Sequence, residues 1–314
     1  MDTVSFNFGL TPTFQMCVFI SLELVLLTPA YWLSWYLDTI SLIIVFIPMI
    51  PVIVLISLSL LFQPWDNGFL YLFKNIIQQL GLKRMTMNMS TFSLGPSLDS
   101  SLDSSLKSST IYWSWWKIIT FSLSINLIIY LIMFIPLWLI NPSSMKGNTY
   151  YVNSIWLDFL IDLVISVTLW SFVFWIVSIG EELAWRGYLA KFTSYQIERL
   201  PLTYLINGVV WAGFHYPLIF LVPNAFFFPG MTIPIWLLTI NFTIIIFSIT
   251  TIMVTLRLTT DSIIPCLILH GCHNALVPVF NLRTQVEHLT WIGEGGFIHA
   301  GLWVLTAIGF HALY

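Results

Sequence analysis

Charge is what this 314-residue sequence has least of: Asp, Glu, Lys and Arg together make up 8% of it, against a hydrophobic share of 58%. A soluble globular chain carries about 25% charged residues, so a soluble domain is excluded. The 11 Lys and Arg are dispersed and form no basic patch, which excludes nucleic acid as a partner. Cysteine is scarce too. Cys17, Cys266 and Cys272 each lie in an apolar stretch, where a thiol reads as a small buried hydrophobe, and no disulfide framework follows from them. The opening MDTVSFNFGLTPTFQ lacks the basic start of a cleavable signal peptide, so the first apolar stretch is read as a retained span. HExxH is also missing, and with it the usual zinc-protease signature.

What the chain has instead is long apolar runs, with a mean hydropathy of +0.89. Crossing a bilayer takes about 20 mainly apolar residues at about 1.5 Å rise each. Eight candidate spans meet that length, at roughly 15–37, 40–62, 114–140, 154–180 (continuing as helix to about 192), 202–222, 233–256, 262–282 and 296–314. The last is short enough to lie at the interface. The fold expected is an all-α polytopic membrane bundle, one membrane domain over 1–314.

Cytoplasmic loops carry the excess of Lys and Arg. With the N-terminus inside, the inner segments hold Lys74, Lys83, Arg84, Lys107, Lys117, Lys191, Arg199 and Arg257, and the outer ones hold Lys146 and Arg283. The N-terminus is therefore expected in the cytoplasm. Residues 63–113 include SLGPSLDSSLDSSLKSST, too polar and too simple to build a core, and read as a flexible cytoplasmic loop. FLYLFKNIIQQLGLKR, just before it, fits either an amphipathic helix on the membrane surface or an ordinary loop helix.

Ionisable groups at membrane depth cost roughly 2.5–3.5 kcal/mol each, so they are functional candidates by default. Those present are Glu23, Asp158, Asp162, Glu181, Glu182, Arg186, His215, His270, His273 and His299. In SIGEELAWRGYL, Glu182 and Arg186 are four apart on one helical face and neutralise each other. Glu181 points about 100° away and has no helical partner, which suits a general base. In WAGFH, Trp211 and His215 share a face. In HGCHN, His270 and Asn274 do the same, while His273 lies about 60° off their line as a neighbour. By helical rise Glu181 lies about 15 Å from Lys191, His215 about 18 Å from Thr203 and His270 about 14 Å from Asp261. All three reach a similar level near mid-membrane.

EELAWR, WAGFH and HGCHN resemble, in order, the EExxxR, FxxxH and HxxxN motifs of the CPBP intramembrane proteases, with Trp211 in place of Phe. That family includes the type II CAAX prenyl proteases and the bacterial Abi or bacteriocin-immunity-type proteins. The resemblance covers roughly 154–283. It implies an endopeptidase in which Glu181 and His215 activate a water, His270 and Asn274 stabilise the oxyanion, and Glu182, Arg186 and Trp211 support them. The implied partners are membrane lipids and a membrane-associated or prenylated protein substrate. Glutamate-dependent activation requires no cofactor. If a metal is used, zinc on Glu181, His215 and His270 is the set implied, although an amide such as Asn274 is a poor zinc ligand. Two other functions remain open: a non-catalytic scaffold or immunity protein, and a transporter or proton pathway, which Asp158 and Asp162 on one face keep alive. These two aspartates lie about 29 to 35 Å from Glu181 by helical rise, toward the outer interface. Glu23 and His299 read as interhelical partners.

Overall fold

In a chain this apolar, backbone N–H and C=O groups have no water to turn to, and a helix satisfies them within the segment. A computed structural model of the chain describes residues 115–146, 154–197, 199–221, 231 and 233–313, together with Val18, Ser21, Ile50 and Ile53. Those four residues, from the first two expected spans, are helical. The rest of both spans, Glu23 and the Ser-rich segment 63–113 lie outside the described residues.

The helices are α1 (Trp115–Ile140), α2 (Ile155–Ile197), α3 (Leu200–Leu221), α4 (Ile235–Thr260), α5 (Ile264–Leu282), α6 (Val286–Ile292) and α7 (Phe297–Leu313). No strand occurs among the described residues, only an isolated bridge between Met145 and Thr284. Five stretches are long and apolar enough to cross a membrane: Trp116–Ile140, Ile155–Ile197, Leu200–Leu221, Ile235–Thr260 and Val286–Leu313. Each expected span from 114 onward coincides with a helix to within a few residues. The last, expected to be short, gains length because α6 precedes α7. Ile128, Ile132, Leu139, Phe172, Ile176, Leu305 and Ile308 are exposed, the outward apolar surface of a membrane bundle.

The central helix is α5, which packs against α1 and α2. Its approach to α2 depends on Gly271: a Cβ there would stand 2.1 Å from Trp175 Cδ1 and 2.8 Å from Trp175 N. Small residues at such crossings let backbones touch, where lipid offers no hydrophobic drive of its own. On the other side, Asn126 Nδ2 donates to the Leu269 carbonyl at 2.8 Å and ties α1 to α5. Further along, Tyr130, Phe134 and Trp138 repeat every four residues on α1 and close on Phe280, with ring centroids 5.2, 5.0 and 5.8 Å away. Phe159 of α2 completes this cluster, 5.0 Å from Trp138.

Two features depart from the expected pattern. First, α2 widens into π-helical turns at Ser166–Trp170 and Leu183–Leu189. The second begins directly after Glu182, and such bulges recur at functional sites. Second, two cations read as loop charges are buried. Arg257 lies inside α4, which runs on to Thr260, and donates from Nε to the Arg186 carbonyl at 3.0 Å, within the widened turn. Arg283 pairs with Asp162, its Nε 3.1 Å from Oδ2. Both enter the protein because a carboxylate meets them there, a compensation that a window average cannot register. Asp261 ends α4 in the left-handed region, at φ 53°, which Asp tolerates better than most residues. Its carboxylate accepts from Arg257 Nη1 at 3.2 Å and from Lys191 Nζ at 2.5 Å.

Candidate active site

Glu181 and Glu182 are consecutive and both buried, and the helix sends them to different partners. Glu182 Oε1 accepts from Arg186 Nη1 at 3.0 Å and from His270 Nδ1 at 2.8 Å. Glu181 Oε2 accepts instead from the indole Nε1 of Trp211 at 2.8 Å. Within α2 Glu181 has no partner, as its angular position implies; its partner comes from α3.

Trp211 occupies the centre. Its ring lies under the guanidinium of Arg186, with Cζ 3.8 Å from the ring centroid, so the buried cation faces both a carboxylate and an aromatic face. Its backbone carbonyl accepts from His215 Nδ1 at 2.8 Å. A carbonyl can only accept, so Nδ1 carries the proton and a neutral ring presents Nε2 as its acceptor. His215 is bounded by Trp211, Phe214 and Phe242. The His270 ring stands edge-on to Trp211, centroids 5.4 Å apart. Asn274, one turn further along α5, is half-buried.

The expected site residues therefore arrive from three helices: Glu181, Glu182 and Arg186 from α2, Trp211 and His215 from α3, and His270 and Asn274 from α5. Glu182, Arg186 and His270 form one hydrogen-bonded unit. Glu181 and His215 are each bonded to Trp211, one through its indole and the other through its backbone. In this setting an acid oxygen and an imidazole nitrogen can take a proton from a water, while a second imidazole with a carboxylate behind it can carry positive charge. Among the described residues, no three His, Cys, Asp or Glu side chains converge closely enough to hold a metal ion. Glu181, His215 and His270 do not fit a zinc in this arrangement.

The remaining candidates fall elsewhere. His273, three residues from His270 and about 60° round the helix, has other partners: its Nε2 lies 3.3 Å from Glu294 Oε1 and its ring stacks on His299, centroids 5.9 Å apart. Trp303 Nε1 donates to His299 Nε2 at 2.9 Å, and Tyr130 packs on both histidines. His299 thus bonds within α7 and meets α1 and α5 through its ring. Asp162 is paired with Arg283, and Asp158 is fully buried beside the aromatic cluster's end of α2.

Reading the sequence missed three contacts at or beside the site. Arg257, which braces the turn holding Arg186, carried a local signal: Asp261 sits four residues on. Glu294 also carried one, an acid set among Gly293, Gly295 and Gly296 between apolar helices. The indole N–H of Trp211 as a donor to Glu181 had none, because the contact joins residues 30 apart.

No curated protein and no solved structure matches the chain. Residues 163–276, which contain Glu181, Glu182, Arg186, Trp211, His215, His270 and Asn274, match a family model, that of the type II CAAX prenyl endopeptidase Rce1-like proteins.

Proposed function

We propose that the protein is an intramembrane endopeptidase that hydrolyses a peptide bond with water activated by Glu181 and His215, and that its substrates are membrane-associated proteins, prenylated CAAX C-termini among them. One observation carries the proposal: of the two adjacent buried acids, Glu182 is neutralised by Arg186 and His270, while Glu181 is held by a neutral donor alone. Glu181 Oε1 takes a proton from water, with His215 Nε2 as the second acceptor. The resulting hydroxide adds to the scissile carbonyl carbon. Negative charge then grows on the carbonyl oxygen, opposite the His270 ring and the Asn274 amide, which donate to it. For His270 to donate from Nε2 while Nδ1 faces Glu182, both ring nitrogens must carry a proton at this step. The C–N bond breaks as the proton held by Glu181 passes to the leaving amine, which restores the carboxylate.

The exposed apolar side chains of the bundle face membrane lipids, and the excess of Lys and Arg in alternate loops supports a cytoplasmic N-terminus. The pairing of Asp162 with Arg283 counts against a proton pathway through α2, since that acid already has a counter-charge. The test is cleavage of prenylated and unprenylated C-terminal peptides by protein reconstituted in liposomes, with Glu181→Ala and His215→Ala alongside and a chelator arm. Turnover lost in both variants with folding intact supports the proposal, and so does turnover that survives chelation. Full activity of either variant overturns it.

A further inference from the structure

We propose that Trp211 is a positioning residue for the reaction, and that its indole N–H orients Glu181; this rests on the endopeptidase proposal above. Trp211 is buried, so its N–H needs an acceptor, and the acceptor it finds is Oε2 of the uncompensated acid. With Oε2 held at 2.8 Å, rotation about the carboxyl bond is arrested. Oε1, which accepts from no described residue, is then the oxygen that meets a water. The same residue fixes the second acceptor, because its carbonyl holds His215 Nδ1. Its ring also carries the guanidinium that neutralises Glu182. One residue of α3 thus sets the direction of both proton acceptors and separates the two acids electrically. Phenylalanine, the residue of the motif that this stretch resembles, keeps the ring and cannot donate.

Three variants divide these roles: Trp211→Phe keeps the ring without the donor, Trp211→Gln supplies an amide donor without the ring, and Trp211→Leu has neither. In reconstituted protein, Trp211→Phe should lower kcat roughly ten- to hundredfold with KM nearly unchanged, the loss of one hydrogen bond to a charged group. Trp211→Gln should retain more turnover than Trp211→Leu, a comparison that stands even where the Phe variant folds poorly. Infrared difference spectra read the same contact without turnover. The Glu181 carboxyl band, assigned by its disappearance in Glu181→Gln, should shift in Trp211→Phe. A Phe variant with unchanged kcat, or an unshifted Glu181 band, overturns the positioning role. A shifted band in a protein whose wild type cleaves no peptide leaves the contact established and overturns the endopeptidase proposal instead.

Discussion

Two histidines three residues apart on α5 have opposite surroundings. His270 meets an ion-paired carboxylate on α2 and stands edge-on to Trp211. His273 meets Glu294 at the longer distance of 3.3 Å and is otherwise enclosed by the rings of Tyr130, His299 and Trp303. Both are buried and both touch an acid, so burial and residue type do not separate them. What separates them is the company of a second, uncompensated acid. Near His270 stands Glu181, held by a neutral indole donor, whereas the acid beside His273 is its own partner Glu294, within aromatic packing. A buried polar cluster becomes a reaction site when one of its charges is left available, and it becomes a structural joint when every charge is used.

Substitutions can break this contrast. The largest loss of turnover is expected from Glu181→Gln, roughly 10²–10⁴-fold, as for a general base. Its melting temperature should stay within a degree or two, because the new amide oxygen still accepts from Trp211. Measured peptide cleavage together with a thermal melt in detergent checks both parts, and a variant retaining wild-type turnover would remove Glu181 from the chemistry. Glu182→Gln should act on stability first. It leaves Arg186 as a buried cation facing a neutral amide, and breaking such a pair costs about 3–5 kcal/mol, so chemical denaturation should show a clearly lowered midpoint.

Gly271→Ala tests whether both histidines depend on how closely α5 approaches α2. The added methyl meets Trp175 Cδ1 at 2.1 Å and backbone atoms under 3 Å away, so the helices must separate. A destabilisation of about 1–3 kcal/mol is expected, with a loss of kcat as His270 moves from Glu182. Unchanged stability would mean that the crossing is looser than its geometry indicates. The smallest effect belongs to His273→Phe, which preserves the ring stack and removes the Glu294 contact. Turnover should change by less than about threefold, and stability by about 1–2 kcal/mol. A large kinetic loss there would erase the distinction between the two histidines of α5.

Much of this arrangement was legible in the residues. The pairing of Glu182 with Arg186, the different direction of Glu181 and the shared face of His270 and Asn274 follow from spacing at 3.6 residues per turn, and the helices from 114 onward from the length of the apolar runs. The widened turn after Glu182 was not legible, because a single π bulge leaves no periodic trace in a stretch this short. Arg257 was placed in a loop, and the burial of Arg283 in the turn after α5 was missed, for a related reason. A hydropathy window counts a cation as a boundary and does not register the carboxylate that compensates it, Asp261 four residues from Arg257 and Asp162 brought to Arg283 only by the fold.

The sequence by itself determined that this chain is a helical membrane protein and which face of each helix carries its polar groups, since composition and local periodicity need no knowledge of neighbours. Tertiary structure alone decided which polar groups meet: His270 on Glu182, Trp211 on Glu181, His273 on Glu294. These contacts span 88, 30 and 21 residues of chain. Their distances are set by how α2, α3 and α5 pack, and helix packing depends on long-range contacts such as that of Gly271 with Trp175, which no local pattern encodes.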